Sequence, residues 1–329
     1  MRIRVLGGGF YGCHLALALA NDGHDVELHE IRNDIFLGAS GSIPARIHQG
    51  FHYPRSRMTR AACLEHQAAF MAAYGRFTKG VRVNIYAIAA NHSLVDFDQY
   101  VDSLSGEVPF IQIHDPAEYG LRNVEGAVLT GERHIVTDDV AAYFRTELKD
   151  RIKLNTAPGE LDSKEFDWTI DCTFCANGNA GVDRYEPCLV VLLWGPTDTA
   201  ITIMDGPFGS LYPWKERWSL SSLSSAKWTP FSKDCKTWEE ANDVLQSLSE
   251  QEIGRQADAM IEDMRVFYPS LMAGRGIAEF KTSIRAMPLS GADTRLVDVQ
   301  KAGDRVLRVR AGKIDAIIHA EKAVKELIA

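Results

Sequence analysis

The sequence predicts an α/β protein built from two domains. Its 329 residues are long for one hydrophobic core. The first thirty residues alternate strand, glycine turn, helix and strand, and a later stretch, 189–220, carries several short strands rich in aromatic residues. Hydrophobic content of 46% and charged content of 24% are typical of a soluble globular chain.

The N-terminal unit begins with an apolar strand around Ile3 and Val5 and continues into a helical run that ends at Asp22-Gly23. The turn between strand and helix carries Gly7, Gly9 and Gly12 at the G-x-G-x-x-G spacing. The first glycine permits a tight turn, the second lets a pyrophosphate approach the backbone, and the third lets helix and strand pack closely. The helix N-terminus then offers free N–H groups to an anion.

Three further residues of this unit are predicted to contact the ligand. Phe10 and Tyr11 lie inside the glycine turn, and Glu30 ends the second strand eighteen residues after Gly12. A carboxylate there can accept hydrogen bonds from a ribose diol. The unit therefore predicts an adenine dinucleotide without choosing between NAD and FAD.

Charge and composition narrow the possible partners. A net charge of -8 argues against a nucleic-acid or anionic-membrane surface, since both bind clustered Lys and Arg. No run of about twenty apolar residues and no signal-peptide pattern stand in the sequence. We therefore expect a cytoplasmic protein that binds a small molecule.

The six cysteines are dispersed, as is typical of reduced, buried thiols. Cys172 and Cys175 have C-x-x-C spacing, but no second pair follows at the spacing of a zinc site. We expect no metal site.

A polar segment at 45–56 is the most informative stretch after the glycine turn. It places Arg46, Ile47, His48, His52 and Tyr53 around Gly50. Polar aromatic residues beside a glycine suit close approach to a planar ligand.

The order of these features resembles the FAD-dependent oxidoreductases of the D-amino-acid oxidase superfamily, with the nearest likeness to L-2-hydroxyglutarate and glycerol-3-phosphate dehydrogenases. In that family the segment equivalent to 47–53 lies along the isoalloxazine ring. The resemblance implies FAD as cofactor, with Arg46, Ile47 and His48 among its contacts.

The resemblance also assigns roles further along the chain. Thr173 matches the threonine of an Ala-Thr-Gly-like turn under the cofactor, although Phe174 replaces the glycine that follows it. The turn Ala311-Gly312-Lys313, with Ile314 at the start of a helix predicted over 314–327, matches the glycine-led helix that points at the pyrimidine edge of the flavin. Arg285 matches an arginine that holds a substrate carboxylate.

The implied fold is a Rossmann-like FAD-binding domain of the glutathione-reductase type with an interleaved antiparallel β-sheet substrate domain. We assign residues 1–80, 132–182 and 280–329 to the FAD-binding domain, and residues 83–131 and 185–279 to the substrate domain.

The predicted function is oxidation of a small hydroxy acid, amino acid or polyol-like substrate by hydride transfer to flavin N5. His48 or His52 would accept the hydroxyl proton, with His48 preferred, and Arg285 would anchor the substrate. Two alternatives stay open at this point: an NAD-dependent dehydrogenase using the same N-terminal unit, and a non-catalytic nucleotide-binding module on the same fold.

Overall fold

The computed structural model describes residues 1–178, 181–195, 198–222, 234–288, 297–310 and 312–329, except for the side chains of residues 183 and 288. The strands are β1 Arg2–Leu6, β2 Asp25–His29, β3 Arg46–Ile47, β4 Thr78–Gly80, β5 Val83–Ala89, β6 Phe110–Ile113, β7 Val124–Thr130, β8 Arg133–Ile135, β9 Ile152–Lys153, β10 Trp168–Asp171, β11 Val182–Trp194, β12 Thr199–Met204, β13 Gly209–Trp214, β14 Arg217–Ser222, β15 Ile277–Pro288, β16 Asp298–Gly303 and β17 Val306–Arg310. The α-helices are α1 Phe10–Asn21, α2 Ala39–Ser42, α3 Arg57–Tyr74, α4 Phe97–Leu104, α5 Thr137–Leu148, α6 Trp238–Ser247, α7 Glu250–Arg265 and α8 Ile317–Ile328.

A six-stranded sheet carries the N-terminal unit. Its order is β16-β17-β10-β1-β2-β9, and all neighbours are parallel except β16 and β17. Ile3 and Val5 of β1 are fully buried because helices cover the sheet. The predicted strand-turn-helix-strand unit is confirmed as β1, α1 and β2.

The second sheet has eight strands in the order β15-β11-β14-β13-β12-β5-β7-β6. Its pairs are antiparallel except β12 with β5, which is parallel. Helix α7 covers one face, where Met260 and Met264 join the apolar core of this sheet. The mixed architecture confirms the predicted α/β fold class.

A small antiparallel sheet, β3-β8-β4, joins the two parts of the molecule. It fixes the polar segment 45–56, because Arg46 and Ile47 pair with His134 and Arg133 of β8. Helix α3 follows this segment directly. Ser56 caps it by accepting a hydrogen bond from the Thr59 N–H.

Two boundaries differ from the sequence predictions. The predicted domain boundary at residue 280 falls inside β15, which pairs with β11 over its whole length and so belongs to the eight-stranded sheet. The C-terminal α-helix begins at Ile317, because a single 3-10 turn over Ile314–Ala316 precedes it. Ala311 of the predicted glycine turn lies outside the described residues.

Candidate cofactor and active site

The glycine turn has the geometry that its three glycines predict. Gly7 has φ +96°, and a Cβ on Gly12 would lie 1.9 Å from the Gly7 carbonyl oxygen. Neither position tolerates a side chain. Gly9 precedes α1, and a Cβ there would meet only the Ser40 hydroxyl within 4 Å, at 3.2 Å. This side of the turn is open to a ligand rather than filled by the fold.

Two backbone N–H groups at this turn donate hydrogen bonds to side chains that lie close in space. The Phe10 N–H donates to Ser40 Oγ at 3.0 Å, so α2 brings a hydroxyl to the helix N-terminus. Glu30 accepts from the Gly8 N–H at 2.6 Å and from the Arg32 N–H at 2.9 Å. The carboxylate therefore lies at the end of β2, beside the glycine turn, where a ribose-binding acid is required.

Three of the predicted cofactor contacts have buried apolar side chains. Phe10 is 1% exposed and packs edge-on against Phe70 and Tyr74, and Ile47 is fully buried. Their side chains belong to the core, so only their backbone atoms can meet a cofactor. Tyr11 donates its hydroxyl to the Lys313 carbonyl and thereby ties α1 to the C-terminal turn.

The turn before the C-terminal helix holds a buried cation. Lys313 is 9% exposed, with its ammonium 3.9 Å from the centre of the Tyr53 ring and 2.6 Å from Cys63 Sγ. Burial opposes the charged form, but Tyr53, Cys63 and Asp315 outweigh it and raise the pKa of Lys313. Gly312 and Ile314 flank this lysine. The predicted helix terminus thus carries a fixed positive charge.

Asp315 lies one residue beyond Ile314 and is fully buried. Its Oδ2 accepts the His48 N–H at 3.2 Å, whereas Oδ1 has no hydrogen-bond partner. Burial raises the pKa of Asp315 to about 6, and Lys313 opposes that shift. This acid links the C-terminal turn to the histidine-rich segment.

A second buried carboxylate lies on the other side of His48. Glu132, in the turn between β7 and β8, is fully buried and accepts the Gln49 N–H at 2.7 Å. His48 Nδ1 lies 3.7 Å from Glu132 Oε1. Tyr86 of β5 donates its hydroxyl to Glu132 Oε2 at 2.5 Å. Burial and Glu132 together raise the pKa of Tyr86 well above its ordinary value, so its proton stays on oxygen.

His52 completes this chain of polar groups. Its Nδ1 lies 2.8 Å from the Tyr86 hydroxyl oxygen, and its ring centre is 5.0 Å from that of His48. Burial, then His48 and Arg46, lowers the pKa of His52 well below its ordinary value. The imidazole is therefore neutral near pH 7, as a proton acceptor must be.

Arg46 reaches from β3 to the eight-stranded sheet. Its guanidinium donates to Thr202 Oγ1 at 3.1 Å and to Ser210 Oγ, and lies 4.0 Å from the centre of the Tyr212 ring. Its hydrogen bonds within the described parts of the chain thus go to neutral hydroxyls. An arginine without a carboxylate partner beside a neutral histidine suits an anionic ligand.

Arg285 has different surroundings. It lies opposite Glu186 in the β11–β15 ladder, and its Nε and Nη2 both donate to Glu186 Oε2. This ion pair already engages the planar edge of the guanidinium that a substrate carboxylate would use. The structure therefore gives Arg285 a carboxylate partner on β11, and Arg285 also interacts electrostatically with Tyr53 of the histidine-rich segment. Arg46 is one of the charges that lower the pKa of His52.

Thr173 follows β10 and lies beside the glycine turn. Its hydroxyl and N–H both donate to Asp171 Oδ1, at 2.6 and 3.1 Å. Phe174 has φ +59°, a left-handed conformation that glycine adopts without cost. The missing glycine is thus replaced by a phenylalanine that keeps the glycine-like backbone.

The predicted site residues fall into two groups. The glycine turn, Glu30 and Thr173 surround one end of the site, and the histidine segment meets the Gly312–Ile314 turn at the other. Sequence reasoning missed Ser40, Cys63, Tyr86, Glu132 and Asp315. Asp315 alone had a detectable signal, since an acid near a glycine-led helix start stands out.

Two further features concern metal binding and membrane-spanning helices in the part of the chain that the structure describes. No cluster of three or more His, Cys, Asp or Glu side chains there could hold a metal ion, and neither Cys172 nor Cys175 forms a disulfide bond. None of the helices described is long and apolar enough to cross a bilayer.

Comparison with solved structures identifies the fold. Glycine oxidase from Geobacillus kaustophilus superimposes with a TM-score of 0.70 at 13% identity, covering 99% of this chain and 94% of the oxidase. L-α-glycerophosphate oxidase from Mycoplasma pneumoniae, solved with FAD bound, gives a TM-score of 0.72 at 11% identity, with coverage of 99% and 94%. The chain has the fold of the FAD-dependent oxidoreductases of the D-amino-acid oxidase superfamily. The predicted family resemblance is confirmed at this level.

Two sequence relatives are named as FAD-dependent enzymes. FAD-dependent monooxygenase FPY4 from Fusarium mangiferae is 29% identical over 335 residues, covering 98% of this chain and 90% of the relative. FAD-dependent monooxygenase kojA from Aspergillus flavus is 25% identical over 372 residues, covering 100% and 86%. No protein-family model matches the chain. Both relatives are named for FAD, which agrees with the predicted cofactor.

Proposed function

We propose that this chain is an FAD-dependent oxidoreductase that oxidises a small carboxylate-bearing hydroxy or amino acid. The cofactor assignment is supported by the open face at Gly9, the acceptor Glu30 and the buried Lys313, which together suit a pyrophosphate, a ribose and an electron-rich ring edge. The polyol-like alternative is less well matched, because Arg46 would then keep an uncompensated charge beside the substrate.

The proposal rests on one juxtaposition. Arg46, a cation hydrogen-bonded to neutral hydroxyls, lies close enough to His52 to lower the pKa of that histidine. A substrate carboxylate bound by Arg46 would hold its α-carbon near the His52 ring. This role for Arg46 replaces the flavin contact predicted from the sequence, and it replaces Arg285 as the substrate anchor.

The hydrogen bonds through Tyr86 decide which histidine nitrogen can accept a proton. Both oxygens of Glu132 accept, so the Tyr86 hydroxyl must donate to it, and its oxygen is left to accept from His52. The hydrogen therefore lies on Nδ1, and Nε2 carries the lone pair. We propose that Nε2 takes the substrate O–H or N–H proton, with His48 as a neighbouring positioning residue.

FAD, when bound, supplies the acceptor for the hydride equivalent. Lys313 would hold positive charge at the ring edge where electron density increases on reduction, and Asp315 fixes the His48 backbone beside it. The NAD-dependent alternative gives this buried cation no comparable role.

Anaerobic mixing with a panel of small hydroxy and amino acids tests the proposal. We expect at least one carboxylate substrate to bleach the flavin absorbance, and we expect the matching alcohol or amine that lacks the carboxylate to react far more slowly. A flavin that remains oxidised with every member of the panel would support the non-catalytic alternative instead.

A monooxygenase is the second candidate, because both sequence relatives carry that description over nearly the full chain. The two activities differ in the fate of oxygen. Turnover under labelled dioxygen distinguishes them, since an oxidase or dehydrogenase leaves the label out of the organic product and a monooxygenase incorporates one atom.

A further inference from the structure

Cys63 and Lys313 meet in the core although 250 positions separate them in the sequence. Cys63 lies on α3, and Lys313 precedes the C-terminal helix. The distance between Sγ and Nζ is 2.6 Å, which is closer than the sum of the van der Waals radii of sulfur and nitrogen. The Cys63 sulfur and the Lys313 nitrogen are thus already in contact. Burial raises the pKa of the Cys63 thiol, and the adjacent Lys313 partly opposes that shift.

The pair is held in a fixed arrangement by its neighbours. Tyr11 binds the Lys313 carbonyl, and the Tyr53 ring lies against the ammonium. Cys63 is 1% exposed, whereas Lys313 is 9% exposed. A small uncharged oxidant would have to approach from the side of Lys313, the more exposed of the two residues. Little motion separates the two atoms from a bond.

We propose that Cys63 and Lys313 form an S–N (sulfenamide) cross-link when the protein meets hydrogen peroxide. Cys63 sulfur attacks a peroxide oxygen, the O–O bond breaks, and a sulfenic acid and water result. The Lys313 amine, after losing its extra proton to solvent, attacks that sulfur. The S–O bond breaks, and the hydroxyl leaves as water with one amine hydrogen. Sulfur is oxidised by two electrons, and one peroxide is reduced to two waters.

The cross-link would change the site in two ways. It removes the positive charge of Lys313, because the bonded nitrogen is no longer an ammonium. It also ties α3 to the C-terminal turn. Since Lys313 faces the proposed cofactor, we expect weaker FAD binding in the linked form. This consequence rests on the proposed function, whereas the bond itself does not.

Peptide mapping of peroxide-treated protein tests the bond. The protein is treated, alkylated without reductant, digested and analysed by mass spectrometry. We expect the Cys63 peptide joined to the Lys313 peptide, with a mass lower than their sum by two hydrogen atoms, and we expect dithiothreitol to separate them. Cys63→Ser and Lys313→Arg should abolish the linked species. Cys235→Ser, which changes another buried thiol, should retain it.

Two results would overturn the proposal. One is Cys63 recovered as sulfinic or sulfonic acid without any link. The other is Cys63 unmodified at a peroxide dose that oxidises methionines of the same sample. Circular dichroism of each variant establishes that it is folded. Linked peptides in a protein that binds no FAD would refute the proposed function and leave the cross-link standing.

Discussion

The Tyr86 hydroxyl oxygen lies 2.5 Å from Glu132 Oε2 and 2.8 Å from His52 Nδ1. The tyrosine thereby connects a fully buried carboxylate to the histidine proposed to accept the substrate proton. Because the carboxylate can only accept, the direction of both hydrogen bonds is fixed. Catalysis should therefore depend on Tyr86, although Tyr86 is proposed to contact neither the substrate proton nor the cofactor.

Replacement of Tyr86 by phenylalanine tests this connection. Tyr86→Phe removes the hydroxyl that orients His52 and leaves the Glu132 oxygen without its donor. We expect kcat to fall by about a hundredfold with KM changed little, since general-base catalysis is typically this sensitive to position. Steady-state kinetics measures both constants.

The matched control is Tyr100→Phe. Tyr100 is also fully buried, but its hydroxyl donates to the backbone carbonyl of Phe51 at 3.1 Å, and within the described residues it hydrogen-bonds to neither the His52 ring nor Glu132. It should lower stability without lowering kcat comparably. Equal losses of kcat in the two variants would contradict a specific role for Tyr86.

The pH profile should follow the lowered pKa of His52. The neutral ring is the active form, so activity is present above its pKa in the folded protein and is lost as pH falls through that value. Burial places that pKa well below the ordinary 6.5. We expect kcat/KM to stay flat as pH falls through 6.5 and to decline only in more acidic solution. An acid limb centred at or above 6.5 would show that His52 is not the base.

Substitutions of Arg46 and Arg285 should have different effects, the first on KM and the second on stability. Arg46→Met removes the proposed carboxylate anchor, and we expect KM for the acid substrate to rise by about a hundredfold. Arg285→Met breaks the ion pair with Glu186 and should act mainly on stability. Kinetics and thermal unfolding of both variants separate these effects. A large rise in KM confined to Arg285→Met would restore the anchor predicted from the sequence.

Gly12→Ala should abolish cofactor binding. A Cβ at this position would lie 1.9 Å from the Gly7 carbonyl, so the turn must distort. Gly254→Ala is the control, because its Cβ would meet nothing within 4 Å inside α7. This second variant should keep FAD and gain about 0.5–1 kcal/mol in the free energy of unfolding. Equal FAD content in the two purified variants would contradict the assigned glycine turn.

Glu321 should stabilise the C-terminal helix in a pH-dependent way. The hydrogen bond with His14, then Lys325, lowers the pKa of Glu321 from 4.5 to about 2. Its contribution is therefore complete above about 4.5 and is lost as pH falls toward 2. We expect Glu321→Gln to cost about 1–2 kcal/mol in urea unfolding at pH 7. A cost that is unchanged at pH 3 would exclude this origin.

The sequence predicted the parts of the fold that depend on local pattern. The glycine spacing in residues 7–12 and the strand-turn-helix-strand order of the first thirty residues each follow from steric or hydrophobic rules that act within a few residues. The 3-10 start of the last helix was not predicted, because periodicity does not reveal whether the first turn is tightened.

The proposed catalytic arrangement could not be predicted from the sequence, because its contacts join segments that lie far apart in the chain. Glu132 is one acid in a short turn, and its importance arises only when β5 and the segment around Gln49 fold over it. Likewise, Arg285 matched a family position, but its pairing with Glu186 depends on the register between β15 and β11. The sequence shows which side chains can donate, accept or carry charge, but it does not show which of them contact each other in the fold.

We propose above that the chain carries FAD and that a small carboxylate substrate reduces the flavin, with Arg46 binding the carboxylate and His52 accepting the proton. The most direct measurement is the visible spectrum of the gel-filtered protein, recorded before and after anaerobic addition of that substrate. We expect a yellow protein whose flavin absorbance is bleached rapidly by the substrate in the wild type and only slowly in Arg46→Met. A colourless protein that binds NADH, or a flavin bleached equally fast in both proteins, would contradict it.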